Sequence, residues 1–155
     1  TDLAPSSGLS LQEMGSVDFV FAVAPHHPLA SAKEPLDSEE IKRHRAVAAA
    51  DSSQRGRGVT VNLLPGQDVL TVATMQHKLE AQLRGLGCGW LPLPLARPYL
   101  DAGRLVAKPV SQPRRNIRVG YVWRAGSGEG RALAWWLAQV EQPRTRLALL
   151  ENHHQ

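Results

Sequence analysis

Apolar and polar positions follow two rhythms along the chain, and the switches between them mark its elements. Residues 17–24, VDFVFAVA, are apolar at nearly every position and rich in aromatic and β-branched types. Such a run predicts a strand covered on both faces. Pro25-His26-His27-Pro28 ends it, because proline has no N–H for a central ladder. A helix is expected over 38–44. Asp37 stands three residues before Glu40, the spacing of a capping box. Glu39 and Glu40 at its start and Lys42, Arg43 and His44 at its end suit the helix dipole. Residues 46–50 form a second short apolar run, read as a strand that ends at Asp51-Ser52-Ser53-Gln54. Residues 59–64 and 68–72 predict two strands about a Pro65-Gly66 turn.

The period then changes. Val72, Met75, Leu79 and Leu83 fall on one stripe of an amphipathic helix. Thr71 or Thr74 is placed to cap its start, and Gly85 to end it in the left-handed conformation. A strand is expected over 88–91 and a helix over 94–102. Pro94 is tolerated in the first turn of that helix, whereas Pro98 shortens or kinks it. Gly103 terminates it. Residues 105–110 read as a strand, 111–116 as a polar link, and 117–123, IRVGYVW, as a strand with alternating character. A helix starting at Ser127 or Gly128 is expected to reach Gln142, with Leu133, Trp136, Leu137 and Val140 on one face and Pro143 closing it. Residues 145–151 predict a further turn of helix. Strands alternating with helices give an α/β class with a largely parallel sheet. Residues 1–16 hold small and polar residues with little periodicity, and the chain opens on Thr1. It reads as the middle of a longer protein.

The densest punctuation lies in residues 83–96, LRGLGCGWLPLPLA. Gly85 ends one helix, and Gly87 and Gly89 let the next strand start close against it. Trp90 and Leu91 enter the core, and Pro92 and Pro94 open the next helix. In this chain Gly85-Leu86-Gly87-Cys88-Gly89-Trp90-Leu91-Pro92 is followed by Leu95-Ala96 and by Leu100-Asp101-Ala102-Gly103-Arg104-Leu105-Val106. His27-Pro28-Leu29-Ala30 follows the buried strand, and Ala132-Leu133-Ala134-Trp135-Trp136-Leu137 follows the late strand. In order and spacing, over roughly 17–140, these three patches resemble the effector-binding region of LysR-type transcriptional regulators. Trp90 departs from the pattern, standing where many members carry isoleucine or alanine.

The resemblance implies an α/β, periplasmic-binding-protein-like (type 2) fold of two lobes joined by two crossing strands. It implies that residues 1–23 end a first-lobe segment and cross over. Residues 24–109 would then form the second lobe, and 110–155 return to the first, with crossings near Val23-Ala24 and 109–113. It further implies a small effector, anionic or aromatic, bound between lobes. Its second-lobe contacts would be Asp51, Ser52, Ser53 and Gln54 and the helix start at Thr74 and Met75. Ser52 and Ser53 read equally as turn formers capping local backbone. The family's DNA-binding domain has no counterpart in this chain, so DNA is a partner only through a missing N-terminal domain. Members are homo-oligomers, and the helix 74–84 is the interface candidate. The alternative is a fragment of a periplasmic solute-binding transport protein; a helix-turn-helix or an export signal upstream would separate the two.

Composition narrows the chemistry. A hydrophobic content of 43% with 21% charged residues suits a globular domain. No apolar run is long enough to span a bilayer, and no signal peptide is visible, so no membrane partner and a cytoplasmic location are expected. The net charge of +4 is modest and the arginines are scattered, unlike a nucleic-acid-binding stripe. The single cysteine, Cys88, admits no internal disulfide and suits a reducing compartment; it reads as a small core residue. His26, His27, His153 and His154 lack Cys or carboxylate partners at ligand spacing, so no metal is expected. Arg55-Gly56-Arg57-Gly58 lacks the strand–GxxxxGK–helix setting of a phosphate loop. Trp135 and Trp136, adjacent on a helix, read as core or interface. No base, nucleophile or cofactor motif is present. The expectation is a sensor, not an enzyme, with no cofactor.

Overall fold

A computed structural model describes residues 8–50, 63–112, 116–124, 126 and 130–151. These divide into two compact units, one of 8–18 with the described residues from 116 onward, the other of 19–112. A long strand, β1 (Leu9–Val23), contributes to both.

In the larger unit, β1 leads through a single 3-10 turn (Pro28–Ala30) to α1 (Ser38–Lys42), β2 (Ala46–Ala49), β3 (Val69–Val72) and α2 (Met75–Leu83). Then come β4 (Gly89–Pro92), α3 (Leu93–Asp101) and β5 (Val106–Ala107). β2 and β3 pair in parallel, and a parallel bridge between Ala46 and Cys88 sets β4 on the other side of β2. β1 runs antiparallel to β4, with Phe21 opposite Trp90, and antiparallel to β5, with Ala22 opposite Ala107. The sheet is therefore mixed, which corrects the expectation of a largely parallel one. An apolar run reports burial on two faces but not strand direction.

That two-sided burial explains why residues 17–24 are so uniformly apolar. Phe21, Val23 and Trp90 point into a core with Leu29, Leu36, Ile41 and Cys88. Ala22 and Leu91, one residue out of phase, point into a second core with Leu79, Ala96 and Leu105. α1 thus closes one face, and α2 and α3 the other. Phe21 and Trp90 meet edge to face at 5.8 Å, the preferred geometry for aromatic pairs. Burying each Leu contributes roughly 1.5–3 kcal/mol, so these two cores dominate the unit's stability.

The local signals held where they were chemical. Asp37 caps α1 by accepting from Glu40 N at 2.7 Å, and Thr74 caps α2 by accepting from His77 N at 3.1 Å. α1 stops at Lys42, with Arg43 as its cap, and Val72 belongs to β3, not to the α2 stripe. Gly85 takes φ +72 after α2. Gly87 sits where an added Cβ would lie 2.6 Å from Arg45 O and 2.9 Å from Val47 Cγ2, the close approach expected of residues 83–96. Leu63 and Leu64 lie outside any strand, and 59–62 lie outside the described residues. The strand expected over 105–110 shrinks to two residues, because Pro109 cannot extend the ladder; Val110 instead bridges to Leu36.

In the smaller unit, β1 pairs antiparallel with β6 (Asn116–Arg124), from Leu9 opposite Arg124 to Asp18 opposite Asn116. Residues 9–16, aperiodic in sequence, are therefore strand. α4 (Arg131–Glu141) and α5 (Pro143–Glu151) follow. Pro143 does not merely close a helix; it opens the next at the position where its missing N–H is harmless. Trp135 and Trp136 are 56% and 60% exposed, so they are not core. Among the described residues of this unit none is buried, and Leu9, Leu11, Ile117, Val122, Leu147 and Leu149 are also exposed.

Candidate functional site

The parallel strands of the larger unit share one end. β2 runs out at Ala49, and Ala50 N still donates to Val72 O at 2.7 Å. β3 finishes at Val72, and two residues later α2 begins behind its cap, Thr74. β4, parallel to β2, finishes at Pro92 and passes directly into α3. The carboxyl ends of three parallel strands and the N-termini of two helices therefore form one edge. In open α/β sheets this is where ligands bind.

The first turn of α2 has the electrostatics of an anion site. Thr74 Oγ1 holds His77 N, and Thr74 O accepts from Lys78 N at 3.0 Å. Geometry leaves the earlier amides of any helix, here those of Met75 and Gln76, without an intrahelical acceptor. α1 neutralises its own N-terminus with Glu39 and Glu40, whereas α2 carries no acid in its first turn. Its partial positive charge is thus not met by its own side chains, the setting in which helix starts attract carboxylate or phosphate.

Of the residues expected at the site, the structure places two. Thr74 is exposed at the cap, and Met75 is half-buried against the core that contains Leu79 and Leu91. Asp51, Ser52, Ser53 and Gln54 lie outside the described residues, as do Arg55–Gly58 and His153–His154; Ala50, the described residue before Asp51, lies at this same edge. Sequence reasoning missed the junction Pro92-Leu93 as a neighbour of the site. Its signal is a strand running straight into Pro94 at a helix start, which by itself reads only as punctuation.

Three buried polar groups are built into the fold elsewhere. Lys108 donates to Ala30 O and Ala32 O at 3.1 and 3.0 Å and pairs with Glu34 Oε1 at 2.6 Å. Gln82 donates to Ala22 O at 3.4 Å, and its Oε1 has no partner among the described residues. His27 accepts at Nδ1 from Leu29 N. Cys88 is buried, its Sγ donating to Arg45 O at 3.4 Å, and burial pushes its thiol up to about 11. A thiol so protonated is a poor nucleophile at neutral pH. Among the described residues no three His, Cys, Asp or Glu side chains are arranged to hold a metal ion. No helix there is long and apolar enough to cross a membrane.

Comparison with known proteins agrees with this architecture. Residues 1–143 match the family described as the LysR substrate binding domain. The chain is 41% identical over 135 residues to the HTH-type transcriptional regulator YeeY of Escherichia coli (strain K12), covering 87% of this chain and 43% of that one. It spans less than half the length of the curated relatives it matches. Among solved structures it resembles the regulatory domain of NMB2055 (MetR), a LysR family regulator from N. meningitidis. The TM-score is 0.71 at 16% identity, over 97% of this chain and 69% of that one. It also resembles full-length LysG from Corynebacterium glutamicum with bound effector Arg, with a TM-score of 0.66 at 20% identity, over 90% of this chain and 47% of that one. Such regulatory domains have the periplasmic-binding-protein-like type 2 α/β fold.

Proposed function

The chain belongs to the LysR substrate-binding domain family, and from that premise we propose that it is the effector-sensing part of a transcriptional regulator. Residues 24–109 act as the second effector-binding lobe, and 1–23 and 110–155 belong to the first. A small ligand, anionic or aromatic, is held by Asp51, Ser52, Ser53 and Gln54 together with the α2 start at Thr74 and Met75. The observation that carries this reading is the acid-free N-terminus of α2 beside the carboxyl ends of β2 and β3. Hydroxyls and helix amides at one edge suit a carboxylate. The related LysG structure is described with arginine bound, a ligand with a carboxylate of its own.

In the parent protein the effector acts by binding one arrangement of the lobes better than another. Only that difference in affinity moves such an equilibrium. The shift is relayed through a homo-oligomer to DNA-binding domains outside this chain. The protein is cytoplasmic and acts as a sensor, not an enzyme. Relatives named as transcriptional regulators favour this over a solute-binding transport protein.

Calorimetric titration of the full regulator with a panel of amino acids and aromatic acids tests the site. Ser52→Ala and Ser53→Ala are each expected to weaken binding by about tenfold, the effect of losing one hydrogen bond to a charged group. Unchanged affinity in both variants overturns the assignment of the loop.

A further inference from the structure

One corner of the larger unit gathers three histidines that the effector site does not use. His27 is buried at 7% exposure, in the turn that follows β1. Its Nδ1 accepts from Leu29 N at 3.1 Å, capping the turn Pro28–Ala30. An acceptor nitrogen carries no proton, so this contact requires the neutral ring with its hydrogen on Nε2. The His44 ring lies 5.2 Å away, centre to centre. His26, next in the chain, meets Arg84 O with its Nε2 at 3.3 Å, at the end of α2.

The capped turn bears on the rest of the unit. Leu29 is fully buried in the core with Phe21 and Trp90. The carbonyls of Ala30 and Ala32, just beyond, receive the buried Lys108 ammonium. The residues after Lys108 are laced to the same strap, by Leu36 N to Pro109 O and Ser111 N to Leu36 O, both at 2.9 Å. One imidazole nitrogen thus helps seat a segment that holds the chain on its way out of the unit.

We propose that His27 is a proton-operated catch: a proton taken from solvent at Nδ1 ends its acceptance from Leu29 N and loosens the turn Pro28–Ala30 together with its hold on Lys108. With both ring nitrogens protonated, two N–H groups face each other, and the contact cannot persist. His26 and His44 are the titratable groups acting on His27, and each repels it once protonated. Glu40, the carboxylate of the cluster, is directed at His44 at 3.7 Å and at Arg43 at 3.3 Å. Burial and both histidines hold His27 below the ordinary histidine range. A folded value below the unfolded one means stability is full above about pH 6.5 and drains away as pH falls through the folded value.

Residue-resolved amide exchange on the 155-residue chain tests the catch, with rates corrected for intrinsic pH dependence. Protection of the Leu29 amide is expected to fall about tenfold or more between about pH 7.5 and pH 5, the loss of a buried donor's partner. The Leu91 amide in β4 serves as the internal reference. His27→Asn retains an accepting oxygen without a titrating group, and its Leu29 protection should stay level. Level protection in the wild type, or an equal fall in His27→Asn, would each overturn the proposal.

Discussion

Cys88 shows how one residue's surroundings decide its role. Its thiol is buried beside Arg45 O and pushed up to about 11, first by desolvation. The unfolded thiol titrates near 8.5. A folded value above the unfolded one adds stability that is fully present below about pH 8.5 and lost as pH rises through about 11. The urea midpoint of the wild type is therefore expected to fall more steeply across that interval than that of Cys88→Ala. Parallel alkaline slopes would show that the thiol is not desolvated. The sequence already placed Cys88 in the core, because a single cysteine without a partner packs as a small apolar residue. The sequence did not reveal Lys108 and Gln82 as buried. Their partners are carbonyls brought close by the fold, and carbonyls leave no trace in residue type.

At the scale of elements, legibility followed chemistry that acts over three or four residues. The cap at Asp37, the turn at Gly85 and the end at Gly103 were readable, and the cap of α2 was narrowed to Thr71 or Thr74. Residues 9–16 were not, and the reason is a bulge. Register slips between Glu13 and Gly15, leaving Met14 as the extra residue, with apolar positions at 9 and 11 before it and the next one at 17. A bulge adds one residue and inverts the alternation, and a window across it sees no period. The helix at the candidate site was half legible: the sequence offered Thr71 or Thr74 as its cap and the structure uses Thr74, with Thr71 inside β3, but its adjacency to Pro92-Leu93 depends on β4 lying beside β2. Because Thr74 caps α2, Thr74→Ala is expected to cost about 1 kcal/mol of stability. Thr74→Ser, which keeps the hydroxyl in an equally good cap, should cost nothing measurable. Denaturant melts of both variants check this; equal losses would mean that the methyl, not the cap, is what matters.

At the scale of the whole molecule, the two units differ in how far they satisfy themselves. The larger closes both faces of its sheet. The smaller has no buried side chain among its described residues and keeps Trp135, Trp136 and the Leu11–Val122 pair in contact with solvent. The family resemblance anticipated a periplasmic-binding-protein-like type 2 α/β fold, and the family match and the solved regulatory domains agree with it. The mixed sheet was out of reach, since direction is set by connections and not by apolar runs. The central claim is that the edge where β2 and β3 end and α2 begins receives a small anion. Amide chemical-shift mapping tests it most directly, titrating the 155-residue chain with a panel of small carboxylates that includes arginine and aromatic acids. The largest shifts should fall on the amides of Met75, Gln76 and residues 50–54 for at least one carboxylate; responses confined to other parts of the chain, or none across the panel, would contradict the claim.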